Sequence, residues 1–108
     1  MPVRRYGKLV RDRIPEIIAA YGLTPVTRTL TGEDYVAALK AKLAEEAGEA
    51  AASGTPEALA VELADLLEVI RALAGAMGLS IEELEAIRSE RARERGAFVE
   101  RIFLVETH

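Results

Sequence analysis

Between Thr31 and Met77 the sequence carries two helix-length runs of Ala, Leu and charged residues, divided by one break at Ser53-Gly54-Thr55-Pro56. Apolar side chains recur at Val36, Leu39, Leu43, Ala47 and Ala50 in the first run. In the second they recur at Leu59, Leu63, Leu66, Ile70, Leu73 and Met77. Both series have the spacing of one face of an α-helix. Thr55 and Pro56 suit the N-cap and first position of a new helix. The first helix is therefore expected to end near Ala52 and the second to run on to about Met77. A break this short allows only antiparallel packing, and the rest of the chain must fit around that hairpin.

The flanks are shorter. YGKLVRDRIPEIIAAYG, residues 6–22, reads as a loop followed by a short helix, with Pro15 in its first turn and Gly22 at its end. PVTRTL, residues 25–30, has the β-branched alternation of an extended segment. Thr31 then opens the first long helix, with Asp34 as its capping-box partner. Ser80 and Glu83 form a second capping box before a helix to about Arg95, which Gly96 stops. RIFLV, residues 101–105, reads as a strand or an extended tail.

The expected fold is all-α: one domain, residues 1–108, built as a bundle of four to five helices. A short extended N-terminal region and a C-terminal tail complete it. The second long helix is apolar over more than half its circumference, too much for one partner helix, so a homodimer is expected. Tyr6, Tyr35, Phe98 and Phe103 read as core or interface residues.

Composition removes several function classes. The chain has no cysteine, so thiolate chemistry and Cys-ligated zinc are excluded. No secretory signal or apolar run of about 18 residues is present, so the expectation is a cytoplasmic protein with no membrane partner. The net charge of −4 hides a segregation. Arg4, Arg5, Lys8, Arg11 and Arg13 cluster at the N-terminus, whereas residues 33–68 carry nine acidic groups against Lys40 and Lys42. Without a dominant basic field, a nucleic-acid polymer is not an expected partner. An acidic centre with basic flanks fits a metal-bridged polyanion such as a nucleoside triphosphate.

Glu45, Glu46, Glu49, Glu62 and Asp65 form that centre. Glu46/Glu49 and Glu62/Asp65 are i,i+3 pairs, each on one helix face. Antiparallel packing would turn the pairs toward each other. At about 100° per residue Glu46 lies only about 40° from the middle of its apolar stripe, where an uncompensated charge is costly. Glu49 sits at the stripe's edge. So many facing carboxylate oxygens call for a cation, and Mg²⁺, with Mn²⁺ as a substitute, has the matching ligand preference. A ferritin-like di-iron site needs paired Glu-x-x-His motifs, and the single histidine is His108.

The pattern Glu45-Glu46-Ala-Gly-Glu49 followed by Glu62-Leu-Ala-Asp65 resembles the all-α nucleoside triphosphate pyrophosphohydrolase superfamily, including MazG-like enzymes and phosphoribosyl-ATP pyrophosphohydrolases. KLVRDRIPEII at 8–18 and RERGAFVERIFLVE at 93–106 are similar to its phosphoribosyl-ATP pyrophosphohydrolase-like house-cleaning group. The resemblance implies a homo-oligomer that uses Mg²⁺ to cut a nucleoside triphosphate between its α- and β-phosphates. By position it implies Glu46, Glu49, Glu62 and Asp65 as metal ligands. Glu45 would serve a second ion or the attacking water. Lys8, Arg11, Arg13, Lys42, Arg91 and Arg95 are the candidates for phosphate contacts. Two alternatives stand beside this reading: phosphoribosyl-ATP as the substrate, or a non-catalytic helical oligomerisation module with a vestigial ion site.

Overall fold

Side-chain periodicity and capping place four helices in the computed structural model, which describes residues 2–108. They are α1 (Ile14–Ala20), α2 (Gly32–Ala52), α3 (Pro56–Ala76) and α4 (Ile81–Arg95). Among the described residues there is no β-strand, and residues 97–108 form an irregular tail. No helix is long and apolar enough to cross a membrane.

Helix starts follow local chemistry closely. Thr55 caps α3 by accepting from the Ala58 amide at 3.1 Å, with Pro56 in the first turn. Ser80 accepts from the Glu83 amide while the Glu83 carboxylate accepts from the Ser80 amide, both at 3.0 Å. The second contact holds the Glu83 carboxyl below its ordinary range. Replacing Ser80 with Ala should cost about 1 kcal/mol, read as a lower midpoint of urea unfolding. An unchanged midpoint would mean that α4 frays independently of the cooperative unit. The Thr31 capping box is not formed: Thr31 has an extended N-cap backbone, but its side chain makes no capping hydrogen bond.

The core lies between α2 and α3, the closely packed pair; α4 adds a smaller contact with α3, and α1 packs against no other helix. Leu39 and Ala74 are 2% and 3% exposed and Val69 is nearly buried. Burying a leucine contributes about 1.5–3 kcal/mol. The packed face of α3 departs from the expected stripe. Val69 faces the core with Leu66 and Leu73 beside it, whereas Leu59, Leu63 and Met77 stay exposed. Because α3 is apolar over most of its circumference, periodicity alone did not fix its phase. Contact with α2 turned the side carrying Glu62 and Asp65 inward.

The chain is open. Its radius of gyration is 18.3 Å, against about 13 Å for a compact chain of this length. Tyr6, Phe98 and Phe103 are expected in a core or interface, and in the single chain all three are exposed.

Candidate functional site

Toward the loop end of the hairpin, α2 brings Glu46 and Glu49 opposite Glu62 of α3. One carboxylate oxygen from each lies within 4.8 Å of the other two. Glu46 is only 7% exposed, as its place near the middle of the α2 stripe predicts. Glu49 is exposed at the rim and Glu62 is half-buried. One oxygen of Glu46 and one of Glu62 are shut off from solvent without any hydrogen-bond partner. Burying a carboxylate oxygen unpaired is costly, and the cost shows in the acidity of Glu46. Burial, and after it the charge of Glu49, push the Glu46 carboxyl above its ordinary range, Lys42 opposing and Asp65 adding to the rise.

The other two carboxylates have partners. Glu45 accepts from Lys8 Nζ at 3.2 Å and lies 3.6 Å from Lys42 Nζ. Chiefly through the Lys8 hydrogen bond, Glu45 is held below the usual carboxylate range. Asp65 accepts from Arg11 Nη2 at 2.7 Å. Lys42 also reaches Glu46, at 3.7 Å.

The expected basic residues therefore divide. Lys8, Arg11 and Lys42 stand against the carboxylates, paired with them directly. Arg13 instead pairs locally with Glu16, at 2.6 Å. Arg91 and Arg95 make no ion pair among the described residues and lie on α4, whose only helix contact is with α3. The basic residues of α4 that do pair, Arg88 and Arg93, do so with Glu85 and Glu90 one turn away.

Sequence reasoning missed the direct closure of the N-terminal segment onto Glu45 and Asp65. A signal for it exists in the basic N-terminus and the acidic centre, but charge segregation is equally compatible with a solvated surface or a shared anionic substrate. Gly7, at φ 57, takes a left-handed conformation that a side chain would disfavour. That turn brings Lys8 and Leu9 over Ala38 and Ala41 of α2, enclosing a cleft of about 100 Å³ beside Glu45. A larger depression of about 520 Å³ lies at the opposite end of the hairpin, lined by Gly32, Val36 and Ala76 among others, and contains no expected site residue.

These features fit a divalent cation: three convergent oxygen donors, two of them with an orphaned buried oxygen, and cations poised at the edge. Comparison with known proteins agrees with the all-α architecture. The family described as phosphoribosyl-ATP pyrophosphohydrolase matches residues 4–92. An uncharacterised protein of Mycolicibacterium smegmatis is 59% identical over 52 residues, covering 48% of this chain and 53% of that protein. The match thus spans about half the length of that curated relative. No solved structure matches the chain.

Proposed function

Because the chain belongs to the phosphoribosyl-ATP pyrophosphohydrolase family, we propose that it is a Mg²⁺-dependent nucleotide pyrophosphohydrolase acting in nucleotide house-cleaning. Water adds across the α–β phosphoanhydride of a nucleoside triphosphate, giving the monophosphate and pyrophosphate. The observation that carries this reading is the pair of orphaned buried oxygens on Glu46 and Glu62, converging with Glu49. Those three residues, with Asp65 beside them, would hold the cation. Bound Mg²⁺ would supply neutralisation of the phosphate charge and a more acidic water.

The protein's own groups do the positioning. Glu45 stays ionised and can accept a hydrogen from the attacking water. Lys8, Arg11 and Lys42 border the same place, where they can grip phosphate oxygens and stabilise the leaving pyrophosphate. A homodimer belongs to the same proposal, since Leu59, Leu63 and Leu67 leave an apolar face of α3 open to solvent. Arg91 and Arg95, without ion pairs among the described residues, would contribute phosphate contacts in that assembly.

The family match favours a second substrate, phosphoribosyl-ATP, which presents the same triphosphate to the same groups. The test is incubation with a panel of ordinary, deoxy and oxidised nucleoside triphosphates and phosphoribosyl-ATP, with Mg²⁺ or Mn²⁺. Pyrophosphate and orthophosphate are measured separately. Metal-dependent pyrophosphate release is the expected result, and the best substrate decides between the two readings. Orthophosphate release would mean a β–γ cut and overturn the reaction. Silence with every substrate would leave the non-catalytic module.

A further inference from the structure

Beyond α4 the chain carries Phe98, Val99, Ile102, Phe103, Leu104 and Val105, each 75% to 95% exposed. Between Ala97 and Val105 the only charges are Glu100 and Arg101. The stretch belongs to no helix, and every residue of it is open to solvent. Single apolar residues are ordinary on a surface, but a contiguous run of them marks a place of contact. Its backbone is also shaped. The Arg101 amide donates to the Phe98 carbonyl at 3.2 Å, and Arg101 takes a left-handed conformation at φ 59. That conformation is costly for a residue with a side chain and persists where surrounding structure holds it. Arg101 and its neighbours are exposed, so the single chain supplies no such support.

We propose that this tail is exchanged between two copies of the chain: residues 98–105 of one copy lie along the open face of α3 on the other. The proposal extends the homodimer named above and does not depend on the reaction.

Area identifies the cover. Leu59, Leu63 and Leu67 follow one another at one-turn intervals, and Met77 returns to the same side of α3 about five turns beyond Leu59. They are 38% to 65% exposed, which leaves a strip of about 250 Å² of apolar surface. A stable interface takes roughly 800 Å² from each partner, so two such strips laid together fall well short. The tail offers about 600 Å² more. Strip and tail together reach the size that neither reaches alone. Both are open in the same single chain, so each needs its complement from another copy.

Charge agrees with this pairing. Ala76, beside Met77, also lines the depression of about 520 Å³, together with Glu33 and Lys40. Neither of those two forms an ion pair among the described residues, and neither do Glu100 and Arg101 of the tail. Each surface thus presents one acid and one base to the other. Such pairs set register and orientation more than affinity.

The test uses the full chain. Sedimentation at micromolar concentration compares the wild type with Phe98→Ser/Phe103→Ser, which should raise the dimer dissociation constant on the order of 10³-fold or more. Phe98→Leu/Phe103→Leu keeps an apolar tail and should stay dimeric. Circular dichroism should be unchanged in both, because these rings support no helix of their own chain. Benzoylphenylalanine in place of Phe103 then identifies what the tail touches. Protein carrying it is unfolded together with isotope-labelled wild type, refolded as a mixture and irradiated. Crosslinks should join the unlabelled tail to labelled peptides of α3 or of residues 32–40. Crosslinks confined to one copy would mean that the tail folds back on its own chain, and would overturn the exchange. A dimer left intact by the serine variant would overturn it too. A wild type that sediments as a monomer would overturn the homodimer and the tail contact together; flotation of that monomer with phosphatidylcholine vesicles would assign the tail to a lipid surface instead. Pyrophosphate release is read separately, so the reaction stands or falls apart from the tail.

Discussion

Replacing Glu46 with Gln should abolish turnover, by on the order of 10³-fold, and yet stabilise the metal-free protein by about 1 kcal/mol or more. Opposite signs are expected because one group bears both effects. The wild-type carboxylate is buried, carries an orphaned oxygen, and faces Glu49, Glu62 and Asp65. Glutamine keeps the shape and removes the charge. The effect has a defined pH dependence. Burial raises the folded-state pKa of Glu46 above its unfolded value, so the folded state holds the proton more tightly. The penalty is absent below the ordinary glutamate range and complete above the raised value, and it grows as pH rises between them. The advantage of Gln should therefore be greatest near neutral pH and vanish in acid. Adding Mg²⁺ should reverse the order, since an ion at about 100 times its dissociation constant adds about 2.7 kcal/mol to the wild type alone. Thermal unfolding with and without Mg²⁺, at pH 7 and pH 4, checks all three. A variant less stable than wild type without metal at pH 7 would show that Glu46 is a structural residue.

The second large effect concerns the open face of α3. Leu63 and Leu67 are 51% and 57% exposed in the single chain and lie one helical turn apart. If a second copy covers them, each contributes about half of a full leucine burial, about 1 kcal/mol. Counted on both copies, the double variant Leu63→Glu/Leu67→Glu removes about 4 kcal/mol, roughly three orders of magnitude in the dimer dissociation constant. Charge repulsion adds to this. Sedimentation at micromolar concentration should show a dimer for the wild type and a monomer for the variant. A wild type that sediments as a monomer would rule out the dimer, and with it any role for Arg91 and Arg95 at a neighbouring site.

The helices were legible because periodicity marks the long ones and caps mark α3 and α4 a second time. Periodicity gave their extents, and Thr55-Pro56 and Ser80 with Glu83 gave two of the starts at residue level. Thr31 carried a similar signature without the hydrogen bond, since a capping motif records an opportunity that the local backbone need not take. The rotation of α3 was not legible, because a helix apolar on most sides has no unique inward face. Glu46 was legible as a buried acid because α2 has a narrower stripe. The pairing of Lys8 with Glu45 and of Arg11 with Asp65 was not, since it depends on where a loop crosses a hairpin formed far along the chain. Charge segregation shows that opposite regions attract; only the fold shows which atoms meet.

All five carboxylates lie between residues 45 and 65, on helices joined directly through Ser53, Gly54 and Thr55. In terms of folding kinetics this centre is a local structure of low contact order, closing over a short loop. Its like-charge repulsion is therefore expected to act on an early event, the zipping of α2 against α3. The N-terminal segment, whose ion pairs to this centre span 37 and 54 positions, closes longer loops and is expected to dock afterwards, onto charges already gathered.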